Sequence, residues 1–150
     1  MNFNDGGNGK PNGIGLTVLT YDRLEPTYAD PIANTPDDAR AMLTLVRATL
    51  ARFQNVWNGT EQRFVRRLVV MLPVEPWTDV FAKMTANQMA EFERQMIVLR
   101  DALDCADCTK DPTAACERLQ QVFGEDFPVP SRQESAATHR PAIVSSGNSA

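Results

Sequence analysis

The chain has 150 residues, 43% of them hydrophobic and 23% charged, with a net charge of -4 at neutral pH. That length gives room for one domain with a real core. The acidic balance argues against a general nucleic-acid or anionic-membrane binder, since such proteins usually carry net basic charge.

Twelve arginines outnumber three lysines, and a planar guanidinium suits phosphates and carboxylates, so a local basic patch stays open. A membrane span needs a run of about 18 apolar residues, and the chain has none. The polar, glycine-rich start MNFNDGGNGKPNG lacks a signal-peptide pattern. A cytoplasmic location is expected, with the three cysteines reduced.

Residues 1–13 read as a flexible leader. Gly9-Lys10 fails as a phosphate loop, because Pro11 stands where a serine or threonine belongs. Ile14 to Leu24 fits two patterns: Ile14, Leu16 and Val18 alternate as in a strand, whereas Ile14, Thr17, Val18 and Tyr21 share a helical face. Pro26 and Pro31 bracket a loop.

A helix is expected from Thr35, with Thr35 as cap, Pro36 in the first position and Asp37 and Asp38 facing the positive dipole end. Ala39, Met42, Val46, Leu50, Phe53 and Trp57 form its apolar stripe, which ends near Asn58-Gly59. Asn58-Gly59-Thr60 matches a glycosylation triplet, which carries no weight without a secretory signal. The run Phe64 to Leu72 reads as a helix end passing into an extended stretch, stopped by Pro73 and Pro76. Trp77 to Met84 reads as a short helix.

Thr85 with Gln88 has the form of a capping box. It opens a long helix whose Met89, Phe92, Met96, Leu99 and Leu103 follow core spacing. A last helix starts at Asp111-Pro112 and buries Leu119, Val122 and Phe123, after which Gly124 and Pro128 stop it and Phe127 folds back as an anchor. From Ser131 the serine- and alanine-rich chain is expected to be disordered. The fold class is therefore mainly α, a small domain of four or five helices over residues 14–130. It leaves room for one short extended segment, and both termini (1–13 and 131–150) are disordered.

Chemistry-bearing constellations are few. Cys105, Cys108 and Cys116 lack the fourth ligand of a closed zinc site, and the single histidine, His139, lies in the tail. Packing as small apolar groups is the plain reading of these cysteines, with metal or redox use the alternative. Glu91, Glu93, Asp101 and Asp104 fall on helix surfaces, and no Asp-x-Asp pair exists to hold two magnesium ions. Arg63, Arg66 and Arg67 beside Phe64 form one basic patch, suited to phosphates or to pairing with carboxylates.

The order of motifs adds a resemblance. GIGLTVL at 13–19, a long helix, RRLVVMLPVEPW at 66–77, the MAEFERQMIVLRDAL helix and the closing FGEDFPVP follow one another over about residues 12–130. This order resembles the C-terminal helical lobe of bacterial cyclic-oligonucleotide synthases. These enzymes act in anti-phage (CBASS) defence and are relatives of animal cyclic GMP-AMP synthase and oligoadenylate synthase. The resemblance implies a fragment or split part of such a synthase, closing the nucleotide cleft of a separate catalytic lobe. This chain alone would then be inactive and have no catalytic residue. Magnesium and nucleoside triphosphates would bind only with the catalytic lobe, where two metal ions stabilise attack on the α-phosphate.

The family often has a lysine and a serine touching the donor triphosphate near the start of the first helix. Here Lys10-Pro11-Asn12-Gly13 stands at that place. Asn12 is thus the implied donor-phosphate contact, with the hydroxyl lost. The resemblance also implies a ubiquitin-like ligation enzyme acting on the tail that closes on Ala150. The alternative is a stand-alone helical interaction module without catalysis.

Overall fold

Asn12 starts the ordered architecture of the computed structural model, which describes residues 10–109 and 111–131. Its side-chain oxygen accepts a hydrogen bond from Gly15 N, and its amide nitrogen donates to Val80 O at 2.7 Å. The first helix, α1 (Gly13–Arg23), follows at once. Asn12 and Gly13, expected in the flexible leader, lie inside the fold, and residues 1–9 lie outside the described residues. The two-way pattern of Ile14 to Leu24 resolves as helix, with Gly15, Val18 and Leu19 turned inward.

The expected start of the second helix at Thr35 is corrected. Tyr28–Asp30 (β1) pairs antiparallel with Thr35–Pro36 (β2), and Asp37 N donates to Thr27 O at 2.7 Å. Asp37 is the cap, its carboxylate accepting from Arg40 N at 3.0 Å, which leaves Asp38–Ala51 as α2. The helix also stops earlier than the stripe suggested. Arg52 N and Phe53 N turn back to Thr49 O and Leu50 O, so Phe53 enters the core from beyond the helix. Trp57 lies on a strand and is 56% exposed.

The largest departure is a β-hairpin. Gln54–Asn58 (β3) pairs with Arg63–Arg67 (β4) in continuous antiparallel register, Val56 opposite Val65 and Trp57 opposite Phe64. Asn58-Gly59, read as a helix end, is the start of the hairpin turn: Asn58 Oδ1 accepts from Thr60 N and Glu61 N. No helix precedes the extended run: Arg63–Arg67 is already strand, with Val65 buried between exposed Phe64 and Arg66, and Leu68 and Val70 are buried on either side of Val69. Trp77 to Met84 is not a helix either. Val70 pairs with Val80 and Leu72 with Thr78, while Asp79 accepts from Val70 N and Phe81 N. One carboxylate thus ties a loop where a helical turn was expected.

The last two helices start at the caps their sequence signals predict, although Leu119 and Val122, expected to be buried in the last one, are only half-buried. Ala86–Cys108 (α3) carries the Thr85–Gln88 capping box, and Met89, Phe92, Met96, Leu99 and Leu103 are all buried. Pro112–Phe123 (α4) is capped by Asp111 and packs on α3. Helices hold about 50% of the described residues and strands about 14%, so the fold is α-rich with more strand than the one expected segment.

The core gathers Leu43 and Val46 of α2, Leu68, Val70 and Phe81 of the loop region, and the buried row of α3. Phe81 and Phe92 lie 5.9 Å apart, and Phe53 meets Phe92 at 6.2 Å. Phe123 departs from the buried stripe: it is 41% exposed and stacks on Phe127 with ring centroids 5.3 Å apart. Gly124 takes φ 103°, and Gln120 Nε2 donates to Glu125 O and Phe127 O. Thr113 Oγ1 then donates to Pro130 O, so the closing segment runs back along α4. Phe127→Ala is expected to cost about 1 kcal/mol, within the range of a paired aromatic. The loss should show as faster hydrogen exchange confined to the last turn of α4; unchanged exchange there would remove the anchor.

Candidate functional site: an apolar trough between the first two helices

A concavity with a continuous apolar lining lies along α1 and α2. Leu16, Leu19 and Thr20 of α1 meet Met42, Leu45, Val46 and Thr49 of α2 around a hollow of about 370 Å³. Phe92, Met96 and Leu99 of α3 line it too, and Phe123, Lys10 and Pro11 complete the lining. A second hollow of about 510 Å³ continues it, lined by Thr20, Leu24, Pro26, Asp38, Ala41, Met42 and Leu45. Thr20, Met42 and Leu45 belong to both, so the two form one trough.

Its direction follows from those linings. The start of α1 lies by the end of α2, since Lys10 and Leu16 share a hollow with Val46 and Thr49. The end of α1 lies by the start of α2, where Leu24 shares the next hollow with Asp38 and Ala41. The helices therefore run antiparallel beside the trough.

Local sequence explains why the trough stays open. The helix α2 carries two apolar faces: Leu43 and Val46 sink into the core, while Met42, expected in the buried stripe, remains 38% exposed on the trough. On α1, Gly15 lets Phe81 approach the backbone, which seats one side of the helix and leaves Leu16 41% and Leu24 44% exposed. Thr49, 1% exposed, satisfies its hydroxyl on Leu45 O and so presents a methyl group inward.

The polar candidates named from sequence are dispersed. Asn12 sits at the head of α1, its oxygen on Gly15 N and one amide hydrogen on Val80 O. It is held by the fold from both sides, and it follows Lys10 and Pro11 in the chain without lining the trough as they do. Arg63 pairs with Glu61, Arg66 with Glu93, and Arg67 donates to the carbonyls of Phe81 and Met84. The basic patch is thus taken up by carboxylates and loop carbonyls.

The four surface carboxylates each meet an arginine: Glu91 with Arg94, Glu93 with Arg66, Asp101 with Arg100 and Asp104 with Arg47. Arg94, and then Gln95, hold the Glu91 carboxyl down to about 2, below the usual carboxylate range. Cys105 and Cys108 are exposed and Cys116 half-buried, so packing accounts for Cys116 alone. Among the described residues no three histidine, cysteine or acidic side chains gather in a metal-holding group. His139 and the tail to Ala150 lie outside the described residues.

A second exposed apolar group is the hairpin pair, Trp57 edge-on to Phe64 at 5.3 Å. Among the described residues no helix is long and apolar enough to cross a membrane. No family model matches the chain, and no curated protein and no solved structure matches it.

Proposed function

We propose that this chain is a helical docking module whose working surface is the α1–α2 trough. The observation that carries this reading is the trough itself: two hollows joined through Thr20, Met42 and Leu45, lined almost wholly by apolar side chains. Contiguous apolar surface of this kind on a small domain marks a place where another apolar surface is buried. Its length and shape, a furrow between two antiparallel helices, suit the apolar face of an amphipathic helix from a protein partner.

Met42 is the test position, because it lines both hollows and is open to solvent. Met42→Glu keeps a good helix former and places a charge in the trough. It is expected to weaken binding of an amphipathic helical peptide at least tenfold, with a thermal midpoint within a few degrees of the unmodified protein. Equal affinity for both proteins in a titration would overturn the reading.

A second reading names the partner. The order of motifs from GIGLTVL to FGEDFPVP supports the helical lobe of a cyclic-oligonucleotide synthase, with the catalytic nucleotidyltransferase lobe as the protein that docks. Lys10 and Asn12 would then lie toward the donor phosphates, while magnesium and nucleoside triphosphates enter with the other lobe. On this reading the same Met42→Glu change disrupts assembly of the two lobes, and product synthesis fails with it.

A further inference from the structure

We infer that the trough is built for a helix of bipolar charge, with a cationic group at one end of its apolar face and an anionic group at the other. This rests on the docking reading above and adds the chemistry of the partner. Two charged side chains line the trough, Lys10 in one hollow and Asp38 in the other. They stand at opposite ends, separated by the run of α1, whose 11 residues rise about 16 Å.

Neither Lys10 nor Asp38 forms an ion pair among the described residues, in contrast to the arginine–carboxylate pairs that cover α3. Between them lie Leu16, Leu19, Met42 and Leu45, which offer no polar partner. Arg23 and Glu25 flank Leu24 with opposite charges, and Glu125 and Asp126 sit in the turn past Phe123 without lining the hollow. A helix of about three turns spans the distance between Lys10 and Asp38. Its carboxylate meets Lys10, its ammonium or guanidinium meets Asp38, and its leucine-type face fills the space between. Such rim charges fix register and choice of partner, while the apolar face supplies most of the affinity.

The test uses three synthetic 15-residue leucine–alanine helices, stapled so that all are equally helical, with one apolar face in common. One carries lysines at one end and glutamates at the other, one has glutamates at both ends, and one has lysines at both ends. The full chain is expected to bind the bipolar helix about fivefold more tightly than either of the others, the size of one well-placed rim pair. Lys10→Glu should shift the preference to the doubly basic helix, and Asp38→Lys to the doubly acidic one. In 0.5 M salt the differences should shrink while the common affinity persists. Binding of all three helices with equal affinity overturns the bipolar inference and leaves the docking reading standing. Binding of none overturns the docking reading itself.

Discussion

Gly15→Ala is expected to destabilise the protein by about 2 kcal/mol, although alanine is intrinsically the better helix residue by about 1 kcal/mol. The reason is local. A methyl group at Gly15 meets Cε1 and Cζ of Phe81 well inside contact distance, and Asn12 Oδ1 at 2.8 Å. Phe81 is fully buried and cannot swing into solvent, so either its ring or α1 must shift. The Asn12 cap stands in the same place, and its bond to Gly15 N is put under strain along with the ring contact. A urea titration measures the loss. An unchanged midpoint would show that the α1–Phe81 contact gives way freely. Adding Phe81→Leu should recover part of the loss in the alanine background, because the two positions share one space.

Phe92→Ala should cost more, about 3–5 kcal/mol, the range for emptying a large buried aromatic position. Phe92 is 1% exposed and stands between Phe53 and Phe81, so its ring joins the hairpin approach, the loop and α3. Those three segments come from positions far apart in the chain, and most of the buried hydrophobic side chains among the described residues gather in this one cluster. Phe92 also lines the trough, so the space left by the ring opens toward it. A loss below about 1 kcal/mol in thermal or chemical unfolding would show that the core recloses around the gap.

The helices that carried their own punctuation were legible in the sequence. Thr85 with Gln88, and Asp111 before Pro112, place caps and prolines where the backbone needs them, and the α3 stripe then follows from periodicity. The hairpin was not legible, because Asn58-Gly59 serves equally as a helix exit or a strand turn. Only the pairing of Val56 with Val65 decides between them. Trp57 illustrates the same limit: it extends the stripe of α2 by spacing, yet the chain has already turned at Arg52.

The trough was hidden for a related reason. Met42 and Val46 lie near one another on α2, and spacing assigns both to a single apolar face. The structure covers Val46 with core and leaves Met42 in the open, a distinction set by where α1 lands. Where α1 lands depends in turn on Gly15, a residue that periodicity treats as a mere gap. Lys10 drew attention as part of a failed phosphate loop and of the stretch that the family resemblance sets beside the donor triphosphate. Its present meaning comes from Asp38 at the far end of the same furrow.

The ring of Phe123 belongs to two structures at once. One face stacks on Phe127 and holds the returning segment of residues 124–130, and the same side chain closes part of the trough wall. On the docking reading, a helix seated in the trough touches the same ring that stacks on Phe127. Were the Phe123–Phe127 stack to differ between the filled and the empty trough, the two equilibria would be linked, each shifting the other by the same free energy. The last turn of α4, rather than the first turn where Thr113 donates to Pro130 O, would then be the place to read occupancy.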